Sequence, residues 1–199
     1  RFGGSSAMSG GVVYAGGGTA LQKALKVEDS VEHMYRFIAL AGAIHPPLDK
    51  IQLYCEESAA HFDWLVAQGV PYTEKFSSSK ELPMGDESLY FSGTELAWPA
   101  RDLATPAPRG HVPGVPGMTG GRRLMEALLP KAETLGVSLR AGISAGRLIT
   151  ENDGRIAGVM VTIAGEPRAI RVVRGVVLAC GGFIHNREML RQYAPHLYD

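Results

Sequence analysis

Glycine constrains this chain more than any other residue. It occurs 25 times in 199 residues, about twice the ordinary share. The glycines fall in clusters, at 3–4, 10–11, 16–18 and 181–182, with no collagen period. Glycine lets a backbone turn with positive φ or come very close to a neighbour. No ordinary helix or strand would select the run GGSSAMSGGVVYAGGG at 3–18. A flexible linker shares this richness, but linkers rarely carry residues such as Met8, Val12, Val13 and Tyr14. The rest of the composition is globular, with 45% hydrophobic residues, which argues against disorder. Twenty basic residues balance twenty acidic ones, leaving no electrostatic footprint for nucleic acid or a polybasic membrane contact. No apolar run approaches the ~18 residues of a membrane helix. Two cysteines, Cys55 and Cys180, are too few for a disulfide framework or a four-thiolate zinc site. No metal is expected, and a reducing compartment, the cytoplasm, fits. The first residue is not Met, and the last residues carry no stop signal, so the chain reads as a segment of a longer protein.

Periodicity divides the remainder. Asp29-Ser30-Val31-Glu32 has the form of a capping box with Asp29 as N-cap, and Val31, Met34, Ile38 and Ala41 follow on one helical face, predicting a helix near 30–42. Pro46 and Pro47 suit a helix start and Gly69 a stop. Between them Ile51, Cys55, Phe62 and Leu65 recur at helical spacing, predicting a helix near 48–68 with Cys55 as a small core residue and His61 structural. Residues 71–117 form an irregular excursion with strand-like pieces at 72–76 and 88–92. It is either an inserted lid or binding loop or a packed surface loop. Its Tyr90 and Trp98, like Tyr14, read as core or lid packing. Leu124, Leu128, Ala132 and Leu135 predict a helix near 120–135, and Pro130 inside it predicts a kink or two short helices. Beyond Gly136 the pattern becomes strand-like, predicting a β-meander over 137–179. Its strands fall at 137–140, 147–150 and 156–163, with Asn152-Asp153-Gly154 as a hairpin turn, and at 168–174. Val176, Val177, Leu178 and Ala179 are wholly apolar and suit a parallel strand buried on both faces. Asn186 suits the cap of a following helix.

A buried strand running into Gly181-Gly182 and a helix is a place where α/β sheets bind ligands, beyond the carboxyl ends of the strands. At this point the residues carry a resemblance. Arg1-Phe2-Gly3-Gly4-Ser5-Ser6 with Ser9-Gly10-Gly11 resembles the second FAD-contacting loop of the succinate dehydrogenase/fumarate reductase flavoprotein superfamily. Val176-Val177-Leu178-Ala179-Cys180-Gly181-Gly182-Phe183 resembles that family's late strand and turn. The run Gly16–Ala24, together with 106–113, is most similar to the 3-ketosteroid Δ4-(5α)-dehydrogenase branch. The resemblance implies an α/β fold, part of a Rossmann-like FAD-binding domain with an antiparallel β-meander and an irregular inserted loop region. It implies that residues 1–199 are an incomplete FAD-binding domain. Its G-x-G-x-x-G fingerprint would lie before Arg1 and its substrate domain, with the acid–base residues, after Asp199.

The cofactor implied is FAD. By resemblance, Gly3, Gly4, Ser5 and Ser6 approach the pyrophosphate and ribityl chain, and Ser9, Gly10 and Gly11 lie along the isoalloxazine. Ala145 holds adenine through its backbone, and Ala179, Gly181 and Gly182 form the late contact. Cys180 stands where the family has Thr or Ser, and a thiol hydrogen-bonds weakly. Arg109 and His111, held in a Pro-rich segment, either contact an oxygen of substrate or flavin or satisfy loop carbonyls. The function implied is an FAD-dependent oxidoreductase acting on a C–C bond next to a carbonyl, with a small apolar, steroid-like substrate and an electron acceptor left open. The alternatives are a fumarate reductase-like enzyme acting on a small dicarboxylate, or a non-catalytic flavin-binding segment. No catalytic residue is expected within the chain, and the isolated segment is expected to be inactive.

Overall fold

The computed structural model describes residues 2–42 and 45–198, so Arg1 of the first loop motif lies outside the described residues. The chain divides into two units, Arg1–Leu139 and Arg140–Asp199.

The first unit runs α1 (Gly4–Met8), β1 (Val13–Tyr14), α2 (Ala20–Ala24), α3 (Val31–Ala41), α4 (Leu48–Ala67), β2 (Phe76–Ser77), β3 (Leu89–Tyr90), α5 (Ala100–Leu103), β4 (Gly110–His111) and α6 (Gly120–Thr134). The short strands form one sheet in the order β1-β4-β3-β2, antiparallel except for β2 beside β3. The periodic helices fall where their apolar spacing puts them. Cys55, Phe62 and Leu65 of α4 turn inward, and Ala15, Leu21, Phe62 and Leu89 form one core cluster. Phe37 of α3 forms a second cluster with Ala100 and Ala104. Three expectations change. The N-cap of α3 is Ser30, whose hydroxyl accepts from the His33 N–H, because the Asp29 carboxylate is committed elsewhere. Of the kink or two short helices expected at Pro130, the second is not found, since α6 runs through Pro130 as one helix. Pro130 and Glu126 are both exposed, so the carbonyl left without its helical donor lies on the exposed side of the helix. Trp98, expected in packing, is 74% exposed.

The second unit contains β5 (Ile143–Thr150), β6 (Ile156–Ile163) and β7 (Glu166–Arg171), three antiparallel strands in sequential order, then α7 (Arg187–Tyr193) and a 3₁₀ turn at Pro195–Leu197. Asn186 caps α7 through the Met189 N–H. Residues 137–140 and 176–179 are not strands. Val177 is 92% and Leu178 67% exposed. A strand buried on both faces needs paired neighbours on either side, and the described residues of this unit place none beside 176–179.

Candidate cofactor site

The glycine loop is organised by what its glycines touch. Gly3 precedes α1 at φ +105°, and a Cβ there would stand 2.7 Å from the Ala7 Cβ. Gly4, Ser5 and Ser6 are exposed, and a Cβ on Gly4 would meet nothing within 4 Å. Ser9 closes the helix: its hydroxyl donates to the Ser6 carbonyl at 2.8 Å and accepts from the Gly11 N–H at 3.2 Å. Gly10 and Gly11 do not face open space. A Cβ on Gly11 would stand 2.3 Å from the Gly120 carbonyl carbon, and one on Gly121 would stand 2.0 Å from the Ser6 carbonyl oxygen. The Gly121 N–H donates to the Ser9 carbonyl at 3.1 Å. Two glycine pairs more than a hundred residues apart thus let two backbones meet. On the open side of α1, a groove of about 730 Å³ runs to α6, between Phe2, Gly4 and Met8 and the side chains of Met118, Met125 and Leu129.

In the second unit, Ala145 lies on β5 opposite Val161, at a register shift between Ala145 and Arg147. β5 is an edge of its sheet, so half of its backbone groups point away from β6. Ala179, Gly181 and Gly182 are exposed, and neither glycine has an atom within 4 Å of a would-be Cβ.

Arg109 and His111 are both completely buried and line no part of the groove. Arg109 grips Asp29 with Nε at 3.0 Å and Nη2 at 2.7 Å, two N–H groups on one carboxylate. Both side chains are buried. Burial pushes the Asp29 carboxyl up, but the hydrogen bonds and charge of Arg109, with the Gly17 N–H and Gln22, outweigh it and hold the group below its ordinary value. Asp29 also accepts from Gln22 Nε2 at 3.0 Å. His111 Nδ1 lies 3.0 Å from the Arg109 carbonyl, which only accepts, so Nδ1 carries the proton. Nε2 then accepts from the Thr19 hydroxyl at 2.9 Å. Burial holds the imidazole down to about 4, so the ring is neutral at neutral pH. Further along, the Tyr14 hydroxyl donates to buried Glu95 at 2.8 Å. Burial and then the Glu95 charge push the Tyr14 phenol well up.

Sequence reasoning found the Arg109–His111 segment but missed Asp29, Glu95, Gln22, Ser58 and the Gly120–Gly121 pair. Two signals were available. One is Thr19-Ala20-Leu21-Gln22, a capping-box spacing realised at α2. The other is a glycine pair opening α6, where no turn requires one.

Residues 1–199 match the FAD binding domain family along their whole length. The chain belongs to that family. This FAD binding domain is 30% identical over 179 residues to the 3-oxo-5-alpha-steroid 4-dehydrogenase of Comamonas testosteroni, covering 85% of the chain and 33% of that relative. It is 26% identical over 197 residues to the probable fumarate reductase Ifc3 of Shewanella frigidimarina, covering 99% of the chain and 29% of that relative. Among solved structures, the 3-ketosteroid-Δ4-(5α)-dehydrogenase of Rhodococcus jostii RHA1 in complex with 4-androstene-3,17-dione superposes with a TM-score of 0.88 at 41% identity, over 96% of the chain and 41% of that protein. The chain thus spans about a third of the length of these two curated relatives. The residues present fit the family's cofactor, FAD, where backbone is bare: at Gly4, Gly181 and Gly182, where a Cβ meets no protein atom, and at the exposed hydroxyls of Ser5 and Ser6. Among the described residues no His, Cys, Asp and Glu cluster suits a metal ion, and no helix is long and apolar enough to cross a membrane.

Proposed function

We propose that the FAD binding domain formed by this chain belongs to an FAD-dependent oxidoreductase that adds or removes hydrogen across a C–C bond beside the carbonyl of a 3-ketosteroid. The observation that carries this reading is the 41% identity over 96% of the chain to the androstenedione-bound Rhodococcus enzyme. When bound, the flavin supplies the hydride chemistry. The residues of this chain orient it. Gly3, Gly4, Ser5 and Ser6 offer backbone N–H groups and hydroxyls to the pyrophosphate and ribityl chain, Ala145 offers edge backbone to adenine, and Ala179, Gly181 and Gly182 provide the late contact. Ser9, Gly10 and Gly11 lie along the isoalloxazine, held in shape by their contact with α6. We take the chain as part of a larger Rossmann-like FAD domain, inactive by itself, with residues 71–117 inserted on the substrate side. Its proton-transfer residues lie elsewhere in the protein. Two free thiols suit a reducing compartment, the cytoplasm.

A small dicarboxylate substrate would need free cations. Arg109 is already neutralised by Asp29, His111 is buried and uncharged, and Arg101 is exposed beside Asp102, which supports the apolar substrate over the fumarate reductase-like reading. The test is steady-state turnover by the full-length protein with an artificial electron acceptor. A saturated 3-ketosteroid should be oxidised and succinate should not. Turnover of succinate or fumarate in place of the steroid, or a purified protein without flavin absorbance, would overturn the assignment.

A further inference from the structure

The structure assigns Asp29 and Arg109 as positioning residues for the flavin, holding the backbone from which the glycine loop is suspended. The assignment rests on the flavoenzyme reading above.

Every backbone N–H from residue 15 to residue 19 is taken by a group from a distant element or from a cap. Ala15 donates to the Arg109 carbonyl at 2.8 Å. Gly16 donates to the Ser58 hydroxyl at 3.0 Å and Gly17 to Asp29 Oδ2 at 3.0 Å. Gly18 and Thr19 both donate to Gln22 Oε1, each at 3.0 Å. Gln22 Nε2 in turn donates to the Pro108 carbonyl at 3.0 Å. The loop lies directly on the ion pair, since a Cβ on Gly16 would stand 2.6 Å from Asp29 Oδ2 and 3.0 Å from Arg109 Cδ. Gly17, at φ +74°, turns the chain around it. Just upstream, β1 begins two residues after Gly11 and pairs with β4, Val13 opposite His111 and Tyr14 opposite Gly110. β4 follows Arg109 immediately. A displacement of Arg109 therefore reaches Gly11 through one strand pairing and one residue of loop. At its other end the loop is wedged against Gly120 and Gly121, so it has little room to absorb the shift.

A buried ion pair adds little net stability over an apolar pair of the same size. What a two-pronged guanidinium–carboxylate contact adds is direction. Here that direction sets the Asp29 oxygen that orients the Gly17 N–H. Nε and Nη2 are committed to Asp29 and the side chain is enclosed, while Nη1 is buried without a hydrogen-bond partner.

The experiment uses the full-length protein with Arg109→Lys, Asp29→Asn and, as a milder change, Ser58→Ala, which removes only the acceptor of the Gly16 N–H. Four quantities are read: FAD affinity of the apoprotein by titration, the visible band of the bound flavin, KM for the 3-ketosteroid at saturating FAD, and the melting temperature. Arg109→Lys and Asp29→Asn are expected to weaken FAD about 10-fold and to alter the flavin band, with steroid KM within about 2-fold of wild type. Ser58→Ala is expected to weaken FAD about 3-fold, and it decides the question if the charge variants do not fold. Folded variants with wild-type FAD affinity and spectrum would overturn the proposal, as would a raised steroid KM with FAD binding intact. A wild-type protein that binds FAD but turns over no steroid would sink the proposed substrate alone, because the FAD readouts do not involve it.

Discussion

Lowering the pH tests the protonation state assigned to His111. In the folded protein, burial opposes the charged ring more than the Arg109 carbonyl and the Asp29 charge favour it, and the imidazole is held down to about 4 from an ordinary 6.5. An unfolded chain takes up this proton as the pH falls through about 6.5, while the folded chain refuses it until about 4. The contribution to stability is therefore whole above about pH 6.5 and is lost as the pH falls through the window between the two values. At about 1.4 kcal/mol per unit, a gap of about 2.5 units amounts to roughly 3 kcal/mol, of which about 2 kcal/mol is gone by about pH 5. The assay is urea unfolding of the full-length protein and of His111→Gln across this range. The difference between the two proteins cancels every titrating group they share. The wild type's lead over the variant should narrow by about 2 kcal/mol between about pH 7 and about pH 5. Parallel pH profiles would refute the reasoning, and so would a ring that takes its proton near pH 6.5 when followed by NMR.

Gly121→Ala should lower both the melting temperature and the flavin content of the full-length protein. Its Cβ would stand 2.0 Å from the Ser6 carbonyl oxygen, and such overpacking costs about 1–3 kcal/mol or more; wild-type values for both would show that the α1–α6 contact gives way freely. Cys55, completely buried with its thiol pushed up to about 11 by burial, should stay unlabelled when the native protein is alkylated near neutral pH. Peptide mapping that finds Cys55 modified before denaturation would contradict its place in the core.

How much of this was legible in the sequence depends on how far apart the interacting residues are. α3, α4 and α6 could be read because their apolar residues repeat every three or four positions and each helix carries its own signal, although the buried residues of α6 are Gly120 and Gly121. Asp29 could not. Asp-Ser-Val-Glu satisfies the local rule for an N-cap at Asp29, and only Arg109, eighty positions away, takes the carboxylate off the helix and passes the cap to Ser30. The apolar run 176–179 has the composition of an inner strand, but composition does not supply neighbours, and the described residues of its unit leave it unpaired. The candidate site divides the same way. Gly4, Gly181 and Gly182 are bare, as a close-approach reading requires. Gly10 and Gly11 are in contact with the protein's own side chains and backbone at Leu82, Gly120 and Gly121.

The meeting of Gly10–Gly11 with Gly120–Gly121 limits what can be transplanted. A designer who lifted residues 3–19 into another scaffold as a portable flavin module would leave behind the surface that gives the loop its shape. With any larger residue at either position of the receiving helix, the grafted loop would stand off by the width of a methyl group. The smallest unit that can be moved is therefore discontinuous. It comprises the loop, the first turn of α6, and the Asp29–Arg109 pair on which Gly16 packs.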